Sequence, residues 1–374
     1  MRRLFTPFIF ICLLILTACN LSGIYSTGEV NSQPTPTGSN GIGDRKGLFS
    51  GESYINCPGT TNTTVASPQA SPVTLNVYSE VSSSAEDSLD MGIMNQFMHL
   101  HPHIKINWFP IYSNYTTKIQ SLDDQHFPDV FFLSSDLSPA YISSGKLLNL
   151  SPYMAHDGVK ASNYYPALFT PFTCKSGQIY GIPKDWGSLG VFYNKQMFRA
   201  AGLPFPSPNW TWGDMRTIAK KLTKVGSSPD KSIYGVMLPD DSQRWLAFLF
   251  ANGGSVLNRD GTKATFNDKA GVDALNYYTG FQLRDGSSTA PSTFNVRYPY
   301  EAFARQQTAM VIEGGWATSY MQQNKSDVDY GIAPLPRTAN GNRGDLIFTN
   351  AWAASIHTKY PEEAWELIKY ATGA

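Results

Sequence analysis

Residues 179–223, IYGIPKDWGSLGVFYNKQMFRAAGLPFPSPNWTWGDMRTIAKKLT, constrain this chain more than any other stretch. A short apolar segment, 179–182, runs into Pro183 and then a polar-aromatic loop, Lys184-Asp185-Trp186-Gly187. A second apolar run, 189–193, is long enough for a strand. Beyond a proline-rich loop, Thr211 and Asp214 have the spacing of a capping box, in which each side chain satisfies a backbone N–H at the start of a helix. Met215, Ile218, Ala219 and Leu222 then recur at i, i+3, i+4 and i+7, which predicts one buried stripe. Two strands joined by a connection too stiff for a hairpin turn predict a crossing between two domains, with Asp185 and Trp186 exposed in the gap.

The rest of the composition bears on what such domains can do. The chain has 374 residues, 42% of them apolar and 16% charged, enough for two domains with sizeable cores. Its 29 basic and 29 acidic residues balance, and without residues 1–18, which carry Arg2 and Arg3, the charge is about −2. No basic field exists to attract nucleic acid. Aromatic residues are abundant, and four tryptophans, Trp186, Trp245, Trp316 and Trp352, fall at expected loop or strand ends where a ligand could reach them.

Residues 1–18 begin with Met-Arg-Arg and continue apolar, too short for a comfortable permanent span. They close on Leu16-Thr17-Ala18-Cys19. Residues 19–72, rich in Ser, Thr, Gly, Asn and Pro, read as a flexible tether. Cys57 lies in that tether, so a disulfide with Cys174 is possible but is not the expectation, a flexible partner giving little fixed geometry.

The first domain opens with Val73, Leu75 and Val77 alternating with polar residues, a strand ending at Glu80. A helix with Leu89, Ile93, Phe97 and Leu100 on its buried face follows, stopped by Pro102, and Ile104, Ile106 and Trp108 alternate as a second strand. His99, His101 and His103 do not predict a metal site, because Pro102 breaks the helical spacing that such ligands use and no carboxylate cluster adjoins. Residues 129–133 form a buried strand followed by Ser134, Ser135 and Asp136. Alternating strands and helices predict an open parallel sheet, whose ligands bind outside the carboxyl ends of the strands. That rule puts Glu80 and the turn 134–136 on one rim, although Asp136 equally suits an N-cap. Further on, 235–238 reads as a strand, 245–250 as an apolar helix closed by Asn252-Gly253-Gly254, and 269–283 as a helix with Val272, Leu275 and Tyr278 on one face. Residues 309–312 form a strand before Glu313-Gly314-Gly315-Trp316, where the glycines allow close backbone approach and Trp316 either offers a ring to a ligand or fills the core. Pro361 starts a last helix with Glu362 and Glu363 in its first turn and Ala364, Leu367, Ile368 and Ala371 buried.

The ordered pieces YGIP, VFYNK, AGL, TW and AKKLT, with AMVIEGGW and YGIAPLP later, resemble the solute-binding proteins of ABC importers, in the branch that binds sugars. The resemblance runs from Val73 to Thr372, with Gln306-Gln307 standing where the family has a glycine-containing turn. It implies an α/β fold of two lobes, the type II periplasmic-binding-protein arrangement, each lobe a mostly parallel sheet flanked by helices. The expected division is 73–184 for lobe one, 185–335 for lobe two and 336–374 for the return to lobe one, with a hinge near Asp185 and Pro334. Relatives continue past this end of the sequence, so a missing C-terminal part is expected, with an apolar patch left on lobe two. The tetrapeptide at 16–19 resembles the bacterial lipobox, implying cleavage before Cys19, acylation (palmitate among the chains) and anchoring on the extracellular face of the membrane; an ordinary signal peptide with a chance cysteine is the other reading.

The resemblance also implies the function: a carbohydrate bound between the lobes, hinge closure, and delivery to permease subunits by a monomer with no cofactor and no metal. A sugar presents hydroxyls at its edge and C–H patches on its faces. Aromatic rings cover the faces, and carboxylates and amides hold the hydroxyls. The candidate ligand contacts are therefore Glu80, Ser134, Ser135, Asp136, Asp185, Trp186, Trp245, Glu313, Gly314, Trp316, Asn350 and Trp352. The rival reading from another class is a secreted glycoside hydrolase, which needs two carboxylates about 5–10 Å apart; a third is a binding module feeding a sensor. No nucleophile elbow, metal motif or phosphate loop appears, and the expectation is a protein that is not an enzyme.

Overall fold

The computed structural model describes residues 53, 55–59, 65, 72–258 and 261–374. The export segment, Cys19 and most of the tether lie outside the described residues. The chain divides into two compact units, one formed by the described residues up to Trp186 together with Phe348–Ala374, the other by Gly187–Ile347. Among the described residues the strands are β1 (Val73–Glu80), β2 (Ile104–Ile111), β3 (Val130–Ser134), β4 (Ile182–Ser188), β5 (Gly190–Asn194), β6 (Met310–Glu313), β7 (Tyr330–Ala333) and β8 (Ile347–Ala354). The helices used below are α1 (Ser84–Leu100), α2 (Trp212–Leu222), α3 (Ser242–Ala251), α4 (Lys269–Leu283), α5 (Trp316–Gln323) and α6 (Pro361–Thr372). No helix among the described residues is long and apolar enough to cross a membrane.

In the first unit the sheet order is β2-β1-β3-β8-β4. β1 is parallel to β2 and β3, and β8 is antiparallel to β3. Alternation of apolar and polar residues makes β1 a half-buried strand, with Val73, Leu75 and Val77 inward. Phe131, Leu133, Ala353, Phe97, Leu367 and Ile368 fill the same core, each large side chain contributing about 1.5–3 kcal/mol by leaving water. Ser83 caps α1 by accepting from the Glu86 backbone N–H at 3.1 Å. The buried face of α1 differs from the expected stripe: Asp90, Met94 and Phe97 are inside, while Leu89 and Leu100 are exposed. The face is rotated because Asp90 has a buried cationic partner, Lys184, which hydropathy cannot reveal. Residues 184–187, expected as a loop, continue β4 to Ser188 because β8 supplies a neighbouring strand. His101 stacks on Phe97 with ring centres 4.4 Å apart.

Cys57 and Cys174 form a disulfide, with Cα atoms 5.1 Å apart. This corrects the expectation of an unpaired, tethered Cys57. The reason is local: Ile55 is buried in the core of the first unit, and the Lys175 N–H donates to the Ile55 carbonyl at 2.8 Å. The segment 55–58 is therefore docked rather than part of a free tether, and the cysteine pair has fixed geometry.

The second unit has the sheet order β6-β5-β7, with both pairings antiparallel. A mostly parallel sheet was expected; parallel contacts occur here as the isolated bridges Tyr234–Thr308 and Met237–Val311. Residues 235–238 are accordingly not a strand but backbone that touches β6 once. The core gathers Phe192, Met237, Phe303, Val311, Ala317 and Met321. Thr211 and Asp214 form the capping box of α2, whose Met215, Ala219 and Leu222 are buried. In α4 the inward residues are Ala274, Tyr277, Tyr278 and Phe281, and Val272 is exposed, a rotation from the expected face. Its tyrosines can be inside because their hydroxyls donate to the Trp212 and Pro239 carbonyls at 2.7 Å each. The turn at Gln306-Gln307 closes without glycine: Gln306 takes φ 58°, and the N–H groups of Gln306 and Gln307 donate to the Phe303 and Ala302 carbonyls.

The return to the first unit comes at Phe348, later than the expected 336. Residues 336–347 stay with the second unit because they are bonded into it. The Trp212 N–H donates to the Arg337 carbonyl, the Arg337 N–H to the Trp210 carbonyl, and the Leu189 N–H to Asp345 at 3.1 Å. Burial pushes the Asp345 carboxyl up to about 6, against the two backbone N–H groups that favour its charge.

Candidate functional site

In the first unit, strand pairing assembles most of the expected residues. Parallel strands place their ends together, so Glu80, the last residue of β1, and Ser134, the last of β3, share one edge of the sheet. Ser134 faces Asn350 across the β3–β8 ladder, and the Ser135 N–H donates to the Thr349 carbonyl at 3.0 Å. Asp136 is half-buried in the following turn; Leu137, not Asp136, occupies the N-cap of the next helix. Asp185 of β4 joins this group. The Asn350 amide donates to the Asp185 carboxylate at 2.6 Å, and the Thr349 hydroxyl donates to the Asp185 carbonyl at 3.1 Å. The next residue, Trp186, exposes 59% of its surface. The carboxylate–amide pair offers directional hydrogen-bonding groups, and the exposed indole of the next residue along β4 offers a flat apolar face.

Trp352 does not belong with them. It is 2% exposed and meets Trp108 edge-on at 6.2 Å in the core. Strand alternation puts Asn350 and Trp352 on the same face of β8; what separates them is cover, since Trp352 pairs with Phe132 across the ladder and lies beneath the Lys184 ammonium. The Lys184 ammonium stands 5.2 Å from the centre of the Trp352 ring. It is also 3.4 Å from Asp90 and 3.6 Å from both Glu86 and Asp185. Burial disfavours the charge on Lys184, but the three carboxylates outweigh it and hold its pKa above the ordinary lysine value. Burial likewise raises the Asp90 carboxyl, partly offset by Lys184.

In the second unit Glu313 closes β6 and is fully buried, 0% exposed. Arg244 donates to it at 2.6 Å and to Asp241 at 2.8 Å, and the Trp316 indole N–H donates to the same Glu313 oxygen at 2.8 Å. Trp316 is partly buried at the start of α5. Gly314 is required there, since a β-carbon would collide with the Trp316 ring. Trp245 is the second correction: it sits in the first turn of α3 and is 7% exposed, a core residue rather than a surface ring. Its indole N–H and Glu313 Oε1 are buried with no hydrogen-bond partner among the described residues.

The residues that reading the sequence missed are Glu86, Asp90 and Lys184 around Asp185, and Asp241 and Arg244 around Glu313. Polar residues at core-facing positions of α1 and α3 were the available signal, but their partners lie 94 and 69 residues away.

This architecture is shared with proteins of known structure. A substrate-binding protein of Listeria monocytogenes, solved in complex with cycloalternan, superposes with a TM-score of 0.71 at 24% identity, covering 80% of this chain and 75% of that one. The diacetylchitobiose-binding protein of Streptomyces coelicolor is 28% identical over 279 residues, 71% of this chain and 60% of its own length. A maltooligosaccharide ABC transporter solute-binding lipoprotein of Streptococcus pneumoniae is 28% identical over 236 residues, 59% of this chain and 50% of its own. The chain spans about half the length of several curated relatives it matches. The profile of the bacterial extracellular solute-binding proteins matches residues 82–374, which takes in the Asp185–Asn350 pair, the buried Arg244–Glu313 pair and both sheets apart from β1. The chain is a member of the bacterial extracellular solute-binding protein family.

Proposed function

We propose that this protein binds a carbohydrate, of oligosaccharide size, outside the cell and delivers it to the membrane subunits of an ABC importer. The observation that carries the reading is the Asp185–Asn350 hydrogen bond, followed along β4 by the exposed indole of Trp186. Covering roughly 50 Å² of a sugar face contributes about 1 kcal/mol at about 25 cal/mol per Å². Hydrogen bonds to a carboxylate add about 1.5–3 kcal/mol each. A few of both reach the order of −8 kcal/mol, a micromolar site, after ordering costs. The diacetylchitobiose and maltooligosaccharide ligands of the Streptomyces and Streptococcus relatives support the same ligand class. Glu80, Ser134, Ser135 and Asp136 in the first unit, and Glu313, Gly314 and Trp316 in the second, are assigned to ligand contact as part of this proposal. It acts by binding, without a catalytic role or a cofactor, as a monomer.

The test is calorimetry and tryptophan emission with maltotriose, mannotriose and diacetylchitobiose. One of them is expected to bind with micromolar affinity, and Trp186→Ala to weaken it by roughly 1–2 kcal/mol. Binding of a peptide or a metal ion in place of every sugar would remove the carbohydrate reading.

Anchoring is proposed on residues 16–19 and has support in the lipoprotein named among the relatives. Two or more acyl chains hold a protein on a membrane, where one does so only marginally. Cys19→Ser is expected to abolish lipid labelling and to release the protein into the medium; equal detergent partitioning of both forms would refute the anchor.

A further inference from the structure

Lys184 is buried, with 9% of its side chain exposed, and it joins four elements of the first unit. Glu86 and Asp90 reach it from α1, Asp185 from its own strand β4, the Phe132 ring from β3 at 5.5 Å and the Trp352 ring from β8 at 5.2 Å. Among the described residues, no other charged side chain stands within ion-pair distance of it. A buried ammonium costs several kcal/mol unless paired, and one carboxylate suffices for neutrality. Here there are three. Asp185 is the member of the three that is bonded across to β8: Asn350 donates to Oδ1 at 2.6 Å while Lys184 stands 3.6 Å from Oδ2; Glu86 is held from its far oxygen by Ser82 of its own helix start.

We propose that Lys184 is a positioning residue for ligand binding, keeping the Asp185 carboxylate ionised and fixed between itself and Asn350 while touching no ligand. Without Lys184, three carboxylates would share one partly dry volume and repel one another, so Asp185 would take up a proton or turn away from Asn350. Burial already raises Asp90 despite Lys184, which shows the direction in which the cluster moves when its cation is weakened. This inference rests on the carbohydrate reading above, and one of its two measurements is independent of that reading.

The experiment compares wild type, Lys184→Met, Lys184→Arg and the double variant Lys184→Met/Asp90→Leu in the full chain. Exchanging a buried ion pair for two apolar side chains is often neutral or stabilising, so the double variant is expected to fold with a melting curve like that of wild type. The first readout is affinity for maltotriose, mannotriose and diacetylchitobiose between pH 5 and 8. Lys184→Met and the double variant are expected to bind at least about tenfold more weakly, since a charge-assisted hydrogen bond from a ligand hydroxyl to Asp185 is lost. The acid limb of the Lys184→Met affinity profile is expected to move to higher pH, and Lys184→Arg to recover most of the affinity. A merely structural lysine would give a double variant with wild-type affinity and an unchanged pH profile, and that result overturns the proposal. The second readout is the carboxyl carbon resonance of Asp185 as a function of pH, which requires no ligand. An upward-shifted titration in Lys184→Met supports the positioning role, and an unchanged one overturns it. If wild type binds no sugar, the carbohydrate reading fails, and the Asp185 titration still decides the role of Lys184.

Discussion

Replacing Arg244 by methionine is expected to lower the stability of the second unit by about 3–5 kcal/mol. The expectation follows from what Arg244 leaves behind. Glu313 is fully buried, and Arg244, at 2.6 Å, is the cation that faces it. Arg244 also donates to the Ile312 carbonyl at 3.3 Å and to Asp241 at 2.8 Å. Removing it strands a carboxylate in the core with only the Trp316 N–H beside it. A lone buried charge neutralises by taking up a proton. Burial already raises the Glu313 carboxyl in the wild type, partly offset by Arg244, and in the variant its folded-state pKa rises further above the unfolded one. Between those two values the folded state holds a proton that the unfolded state has lost, so stability rises as pH falls and is lost as pH climbs through the folded pKa. Denaturant unfolding at pH 5 and pH 8 measures this directly. Arg244→Met/Glu313→Leu should recover most of the loss, because a dry apolar pair needs no compensation. A shift under about 1 kcal/mol in the single variant would mean that the pair is solvated and not structural.

Breaking the Cys57–Cys174 bond is expected to cost about 2–4 kcal/mol in the first unit. The bond closes a loop of 117 residues, and a covalent link over so long a loop removes many conformations from the unfolded chain. In the folded state it holds Ile55 in the core and the Ile55 carbonyl against the Lys175 N–H. Cys57→Ser/Cys174→Ser, or wild type under reducing conditions, should melt earlier and become more sensitive to protease around residues 55–58. Ile55→Ala with the disulfide intact separates the two contributions, its loss being of the order of 2–5 kcal/mol. Equal melting of oxidised and reduced protein would show that the buried Ile55 alone docks the segment.

Two contrasting helices show where reading the sequence succeeds. The start of α2 and most of its buried face were legible, because a capping box and a stripe of Met215, Ala219 and Leu222 are properties of neighbours within one or two turns; Ile218, expected in the same stripe, is only half-buried. The buried faces of α1 and α4 were legible only in part: Phe97 and Tyr278 lie inside as expected, but Asp90 and Tyr277 are polar in isolation and enter the core only when a distant lysine or carbonyl satisfies them.

The sequence by itself determined the strands that alternate, such as β1, the helix starts at Thr211 and Pro361, the α/β class, and the family, since these rest on periodicity, capping and ordered local motifs. It also brought Asp185, Trp186, Ser134 and Asn350 forward as candidates. Only the tertiary structure decided which tryptophans face water. Trp186 does, whereas Trp245 and Trp352 are core, because exposure depends on what packs above a strand or helix and not on the residue's own neighbours. Tertiary structure alone also joined Cys57 to Cys174, Arg244 to Glu313 and Lys184 to Asp90. Each of those pairs is separated by many turns of chain, and its stability comes from low local polarity and fixed distance, quantities that exist only after the chain has folded.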